Sequence, residues 1–198
     1  MANGPVGEDP RTVAYGCLRD GTQIRIRPVR PGDRAAVLEF LRRLSRDSLE
    51  LRFFSAVTLE VVTHEILQGS VGAGRASVVA ETVTEPPARI IGHAEYSREA
   101  RDPSRAEAAF LIEDDHQGLG AGTLLLRRLA RNAREEGIRY LVAIVLPENR
   151  AMLDMVTGAG YPHTTSWTGG EARVELDIGR DPAPVSRWAA VPTRAGVT

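Results

Sequence analysis

Hydrophobic and polar positions along the chain follow two periods. Ile24 and Ile26 are flanked by polar residues, which is typical of a half-buried strand. Helical spacing of apolar residues predicts one helix after Pro31-Gly32-Asp33, with Asp33 as its N-cap, and a short one over 59–67. Segments 77–84, 90–97 and 106–112 have the character of strands. The last is nearly all apolar, so we expect it in the middle of a sheet.

The clearest helix follows a glycine-rich stretch and runs to about Glu136, where Gly137 ends it. A buried strand over 140–146 follows, then a short helix from Asn149 through Val156 and strands at 164–166 and 173–178. This order predicts an α/β or α+β domain with a mixed sheet and excludes a doubly wound alternation. The long helix has an inner apolar face of Leu125, Leu126, Leu129, Ala130 and Ala133, and an outer face of Arg127, Arg128, Arg131 and Arg134.

Length and composition fit one globular domain. The chain has 198 residues, 42% of them apolar and 26% charged, with a net charge of -1. We expect a domain over 17–179 between poorly ordered tails at 1–16 and 180–198, with Trp188 able to dock the second tail. No apolar run approaches the ~18 residues of a membrane span, and no signal-peptide core is present. A cytoplasmic protein without nucleic-acid or membrane partners is therefore expected.

Two residue counts restrict the chemistry. Cys17 is the only cysteine, which excludes an intramolecular disulfide and a cysteine zinc cluster. All 25 basic residues are arginine, so the chain contains no lysine that could form a Schiff base. His93 and Glu95 share a strand face without a third ligand nearby, and we expect no metal. Tyr96 and Phe53-Phe54 are interpreted as core, and His116 as packed beside the glycine-rich loop.

A glycine-rich loop joins the apolar strand to the long helix. Glycines let a ligand approach the backbone, and the first helical turn offers unpaired N–H groups, so together they suit a pyrophosphate. A tight turn without a ligand is the alternative. A Walker loop needs a lysine, and a dinucleotide fingerprint needs the loop in the first βα unit, so both are disfavoured. The loop reads Gln117-Gly118-Leu119-Gly120-Ala121-Gly122-Thr123.

This loop resembles that of the GNAT superfamily of acyl-CoA-dependent N-acetyltransferases. Gln117, Gly120 and Gly122 match the family pattern Gln/Arg-x-x-Gly-x-Gly/Ala, and Asn149 and Gly160-Tyr161 match its next helix. The resemblance covers about 18–179 and implies a single GNAT-like domain with a mostly antiparallel sheet flanked by helices. It also implies acetyl-CoA as the acyl donor and no metal.

The front of the chain is similar to bacterial protein lysine acyltransferases, which act on acyl-CoA synthetases. These often carry an extra regulatory or synthetase-like domain, and we expect none within this length. The function that this resemblance implies is acetylation of a protein lysine. A small amine as acceptor and a non-catalytic acyl-CoA sensor are the alternatives, and the oligomeric state stays open. The similar segments are 18–22, 26–31, 44–48 and 51–55.

The resemblance also implies site residues. Gly118, Leu119, Gly120, Ala121, Gly122 and Thr123 would bind the pyrophosphate through main-chain N–H groups. The main chain of Phe110, Leu111 and Ile112 would pair with the pantetheine arm, and Asn149 would contact the donor near its thiol.

Glu107 is the predicted general base, because it is the one charged residue within 106–112 and the related enzymes place a catalytic Glu in a similar context. The alternative is an ordinary solvent-facing Glu. Glu113, Asp114 and Asp115 are interpreted as a solvated turn. Val156 stands where the family often has a tyrosine acid.

Overall fold

The computed structural model describes residues 13–54, 57–69, 74–83 and 87–183. Single turns of 3₁₀ helix lie at Pro31–Asp33 and Asp114–His116. The longer elements in these ranges are, in chain order, β1 (Ala14–Cys17), β2 (Gln23–Pro28), α1 (Arg34–Arg43), α2 (Arg46–Phe53), α3 (Leu59–Gln68), β3 (Arg75–Thr82), β4 (Ile90–Arg98), β5 (Arg105–Ile112), α4 (Ala121–Glu135), β6 (Tyr140–Val145), α5 (Arg150–Thr157), β7 (His163–Thr168) and β8 (Glu171–Asp177).

All eight strands form one sheet in the order β1-β2-β3-β4-β5-β6-β8-β7. Every neighbouring pair is antiparallel except β5 and β6, which are parallel. The chain passes from β5 to β6 through α4, because parallel strands need a crossover connection. The predicted mixed, mostly antiparallel sheet is confirmed, and so is the central position of the apolar strand.

Helices cover both faces of the sheet. The apolar stripe of α4 packs with one face, where Leu125, Leu126 and Tyr96 are buried in the larger core. Helices α1 and α3 pack on the other face through a second cluster that includes Phe40 and Ile66. Of β5, Ala106, Ala108 and Phe110 belong to the larger core and Leu111 to the second cluster. No helix in the described ranges is long and apolar enough to cross a bilayer.

Two elements were not predicted from the pattern. Residues assigned to the first tail form β1, which pairs along β2 from Ala14 opposite Ile26. Helix α2 was missed because Leu49, Leu51 and Phe53 are spaced by two, as in a strand. The sequence feature that marks the start of α2 is its N-cap residue, Ser45, whose Oγ accepts from Ser48 N at 3.1 Å.

Other expectations need correction at the surface. Arg128 was placed on the outer face of α4, but the structure buries it and burial lowers the pKa of its guanidinium. The start of the second tail is bonded to the domain, because Asp181 accepts from Arg134 at 2.7 Å and Ala183 N donates to Gly160 O at 2.8 Å. Trp188 and the rest of both predicted tails lie outside the described residues.

A buried ion-pair network links β2, β3 and the start of α1. Arg27 donates to Asp33 Oδ2 at 2.7 Å and to Glu81 Oε2 at 2.8 Å. Asp33 stands at the N-cap position of α1, but its carboxylate accepts from Arg27 and Arg30 N instead of from the helix. Burial would lower the pKa of Arg27, whereas its hydrogen bonds to Asp33 and Glu81 outweigh that effect and raise it.

Removing one charge from this network should cost stability. We expect Glu81→Gln to lower the free energy of unfolding by about 2–3 kcal/mol, somewhat less than a lone buried pair, because Arg27 keeps Asp33. The control Glu60→Gln breaks the exposed pair with Arg34 and should cost at most about 1 kcal/mol. Urea denaturation measures both, and equal losses would contradict a special role for the buried network.

Candidate functional site

The parallel strands β5 and β6 pair over a short distance and then separate. Their pairing begins at Arg105 with Tyr140 and ends at Glu107 with Val142. Beyond that point, among the strands that the structure describes, β5 pairs with β4 and β6 pairs with β8. A gap with exposed main-chain groups therefore opens along the second half of β5. An extended, amide-containing ligand can pair with such an edge.

A cavity of about 670 Å³ lies at the end of β5. Its volume suits a large ligand. The walls come from the end of β5, the glycine-rich loop, α5, α2 and the β1–β2 hairpin. The lining residues are Arg19, Ser48, Leu51, Arg52, Phe110, Leu111, Ile112, His116, Gln117, Gly118, Gly120, Gly122, Thr123, Asn149, Ala151, Met152, Asp154, Met155 and Gly158.

The glycine-rich loop needs its glycines for backbone conformation. Gly118 has φ +69° and Gly120 has φ +100°, both in the region that disfavours side chains. Gly120 is the residue from which α4 starts, so the first N–H groups of that helix lie at the cavity wall. The partial positive charge of the helix N-terminus adds to them. This end of the cavity can hold an anion.

Asp114 ties α2 to the segment that precedes this loop. Its carboxylate accepts from Ser45 N at 2.9 Å, Ser45 Oγ at 2.7 Å and Ser48 Oγ at 2.9 Å. Gln117 Nε2 also donates to Ser48 Oγ at 3.1 Å. Burial tends to raise the pKa of Asp114, but the bonds from Ser45 and Ser48 outweigh it and hold the pKa below 3.8. Asp114 is exposed in a single turn of 3₁₀ helix, as expected, but it also anchors α2 through these bonds.

Glu113 departs from the expected solvated turn, whereas Asp114 and Asp115 are exposed as expected. Glu113 is buried and accepts from Arg43 Nε at 2.9 Å. His116 lies 3.6 Å from it and lines the cavity. Through its pair with Arg43, Glu113 connects the turn between β5 and the glycine-rich loop to the end of α1. Because its carboxylate is buried and paired, it is poorly placed to act on a substrate.

Glu107 lines a second, smaller cavity of about 260 Å³. Glu95 and Ala109 share its wall and its side of the sheet, since Glu95 pairs opposite Ala109. Arg52 of α2 donates to Glu95 at 2.8 Å and lines both cavities. Arg52 is thus common to the walls of both cavities, and Glu107 of the smaller one is the last β5 residue that pairs with β6. Glu107 is exposed there.

Asn149 starts α5 at the wall of the larger cavity. Its Oδ1 accepts from Met152 N at 3.1 Å and so caps the helix. Asp154 and Met155 on the same helix also line the cavity. Val156, the position counted for a family tyrosine, is fully buried and points into the core.

Residues 23–161 match the family described as Acetyltransferase (GNAT) domain. Acetyltransferase PA5475 of Pseudomonas aeruginosa is 31% identical over 150 residues, which are 73% of this chain and 77% of that protein. The chain belongs to the GNAT acetyltransferase family. It is an acetyl-CoA-dependent acetyltransferase.

Among other similar proteins, two are about twice as long as the part that this chain matches, and one is a single GNAT domain. Acetyltransferase Pat of Mycolicibacterium smegmatis is 31% identical over 144 residues, which are 72% of this chain and 42% of that protein. The GNAT domain of S. lividans PAT is 30% identical with a TM-score of 0.75 and covers 86% of this chain and 99% of that domain. A cAMP-binding acyltransferase from Mycobacterium smegmatis is 27% identical with a TM-score of 0.57, and this chain spans 50% of it.

Most residues that the GNAT resemblance pointed to lie together. Leu119, Ala121 and Glu107 are outside the lining of the larger cavity: Ala121 is in the core, Leu119 packs against it, and Glu107 is in the second cavity. Sequence reasoning noted the family resemblance of segments 18–22, 44–48 and 51–55 but assigned no site residue there. Only the tertiary structure brings α2 and the β1–β2 hairpin to the cavity wall. Those that line the cavity are Phe110, Leu111, Ile112, Gln117, Gly118, Gly120, Gly122, Thr123 and Asn149.

The histidines and acids form no metal site within the ranges that the structure describes. His93 is buried and lies 2.8 Å from Ser77 Oγ, and burial lowers the pKa of His93 to about 4. It is therefore neutral at pH 7. Glu95, on the same strand face, is paired with Arg52 instead.

A side chain introduced at a glycine of the loop should weaken donor binding. We expect Gly120→Val to weaken acetyl-CoA binding at least tenfold, because a side chain would stand where the donor approaches the backbone. The control Gly137→Val has similar strain, at φ +81°, but lies at the other end of the 15-residue helix α4, about 22 Å away. Calorimetric titration compares the two, and wild-type affinity for Gly120→Val would contradict the assignment.

Detaching α2 from the loop should have a pH signature. We expect Asp114→Ala to cost about 1 kcal/mol at neutral pH and to raise the KM for acetyl-CoA several-fold. Because hydrogen bonds from Ser45 and Ser48 hold the folded pKa of Asp114 below its ordinary value, the stability lost in the variant is largest above that ordinary value and shrinks as the pH falls toward the folded pKa. Urea denaturation at a series of neutral to acidic pH values measures it. The exposed neighbour Asp115→Ala should change neither quantity.

Proposed function

We propose that this GNAT enzyme transfers the acetyl group of acetyl-CoA to the side-chain amine of a protein lysine, for example on an acyl-CoA synthetase. The transfer is a direct attack in a ternary complex with Glu107 as general base. The observation that carries this proposal is that two cavities with Arg52 in common lie along successive parts of β5, where its pairing with β6 ends. One cavity offers an anion-binding loop, and the other exposes a carboxylate.

The donor occupies the larger cavity. Its pyrophosphate accepts from N–H groups of Gly118 to Thr123, where two glycines with positive φ start α4. The pantetheine arm lies in the gap and pairs with the main chain of Phe110, Leu111 and Ile112, which has no β6 partner at those positions. Asn149, at the wall formed by α5, contacts the donor near its thiol.

The acceptor occupies the smaller cavity. A lysine ammonium has an unperturbed pKa of roughly 10.4, so it must lose a proton before it attacks. Glu107 is exposed in this cavity and takes that proton. Glu107 precedes Phe110 by three strand residues, which span about 10 Å. A water molecule between Glu107 and the amine suits this separation.

The nitrogen then bonds to the thioester carbonyl carbon, the C–S bond breaks, CoA leaves as the thiolate, and the second proton of the nitrogen passes to solvent water. Main-chain N–H groups in the gap stabilise the developing oxyanion. Helix α5 contains no tyrosine, and Val156, at the position where the family often has one, is buried in the core. A thiol with a pKa near 8.5 tolerates departure as a thiolate. No protein acid is required at that step.

Two similarities support a protein lysine as the acceptor. The front of the chain is similar to bacterial protein lysine acyltransferases, and its structure superposes on the GNAT domain of S. lividans PAT over 99% of that domain. The wall of the smaller cavity is dominated by charged side chains, among them Arg52, Arg75, Glu95 and Glu99. This cavity is of a size that admits one extended side chain and leaves the acceptor backbone outside.

Replacing the base tests the mechanism. We expect Glu107→Gln to lower kcat by about 10²–10⁴ toward a lysine-containing acceptor, with the affinity for acetyl-CoA nearly unchanged. The residual rate should rise with pH because the free amine becomes more abundant. The control Glu135→Gln, on the exposed side of α4, should keep full activity.

Turnover is followed by release of CoA thiol, and donor affinity by calorimetry. A loss confined to donor affinity, or no loss, would reassign the base. Since the chain has no lysine, any acetyl-lysine found in the reaction comes from the acceptor.

A further inference from the structure

The turn between β1 and β2 is docked on the glycine-rich loop through Arg19. Arg19 N donates to Leu119 O at 3.1 Å, and Arg19 Nη1 donates to Gly118 O at 2.9 Å. The turn is anchored to the domain by Leu18, which is buried in the larger core. Arg19 thus donates hydrogen bonds to two successive carbonyls of a loop that lies 99 positions later in the chain.

These two bonds orient the loop. A trans peptide points its C=O and the following N–H in opposite directions. When Arg19 takes the carbonyls of Gly118 and Leu119, the N–H groups of Leu119 and Gly120 are turned away from the hairpin. They join the first N–H groups of α4 in one set of donors. Arg19 therefore presets the conformation that an anion needs.

The side chain of Arg19 also reaches the ligand space. It is exposed and lines the larger cavity together with Gly118 and Gly120. A guanidinium carries five N–H donors in a planar fork, so it can hold Gly118 O and still donate to an oxyanion. Arg52, the other arginine of the cavity wall, is paired with Glu95 at the opposite end. Arg19 adds a formal positive charge to the partial charge that the N-terminus of α4 brings to the loop.

We infer that Arg19 is a phosphate-binding residue of the donor site, in which its guanidinium donates to a phosphate oxygen of CoA while its backbone holds the loop. This inference rests on the proposed placement of acetyl-CoA in the larger cavity. It makes the β1–β2 hairpin, which lies outside the glycine-rich motif, part of the cofactor site. CoA offers a pyrophosphate and a 3′-phosphate, and either can be the partner.

Calorimetric titration with CoA and with 3′-dephospho-CoA, each at two ionic strengths, tests the inference. We expect Arg19→Gln to weaken CoA binding about tenfold and to make the affinity less sensitive to salt, because one charge-assisted contact is lost. Arg19→Lys keeps the charge and should lose less. The control Arg101→Gln removes an exposed arginine from the turn between β4 and β5 and should bind CoA as wild type does.

The two ligands identify the phosphate. A contact to the 3′-phosphate predicts that Arg19→Gln weakens CoA but leaves 3′-dephospho-CoA as in wild type. A contact to the pyrophosphate predicts the same loss for both ligands. Wild-type affinity of Arg19→Gln for both, or a loss with the wild-type salt dependence, would overturn the inference and leave Arg19 a structural residue. Wild-type protein that binds neither ligand would instead overturn the proposed donor site.

Discussion

The site depends on one parallel strand pair in a sheet that is otherwise antiparallel. Because β5 and β6 run in the same direction, the chain must cross over between them, and α4 is that crossover. The crossover brings a helix N-terminus to the end of β5. The pair also separates after Glu107, so the anion-binding end, the open strand edge and the carboxylate all lie along one strand. Parallel pairing along the full length of β5 would close the gap.

Segments from the front of the chain complete what the crossover begins. Asp114 holds the N-terminus of α2, and Arg52 at the other end of that helix stands between the two cavities. The β1–β2 hairpin grips the loop from the opposite side through Arg19. The glycine-rich loop is thus held by side chains that precede it by tens of residues. Its shape is a property of the whole domain, which explains how a few unpaired N–H groups can be fixed before a ligand arrives.

Sequence patterns within a single segment correctly predicted the elements whose formation depends on that segment alone. The helical period of α4 and the apolar character of β5 were enough to place the glycine-rich loop between them, and most residues expected around the donor do line the cavity. Helix α2 escaped because its apolar residues, such as Leu49 and Leu51, are spaced as in a strand. Glu113 was misjudged because its burial depends on Arg43, which lies 70 positions earlier in the chain. Arg19 and Arg52 lie in segments that resemble related acyltransferases, but only the tertiary structure shows that both reach the cavity.

The ion pairs of this domain are built from guanidinium groups, since all 25 basic residues are arginine. Arg27 in its buried network, Arg43 at the turn and Arg52 between the cavities all hold carboxylates this way. A thioester acylates a free amine spontaneously when it is concentrated enough, but a guanidinium stays protonated and unreactive at neutral pH. The protein can therefore stand in a high concentration of its own donor while the charges that hold it together stay unmodified. Its fold is chemically resistant to the reagent that it uses.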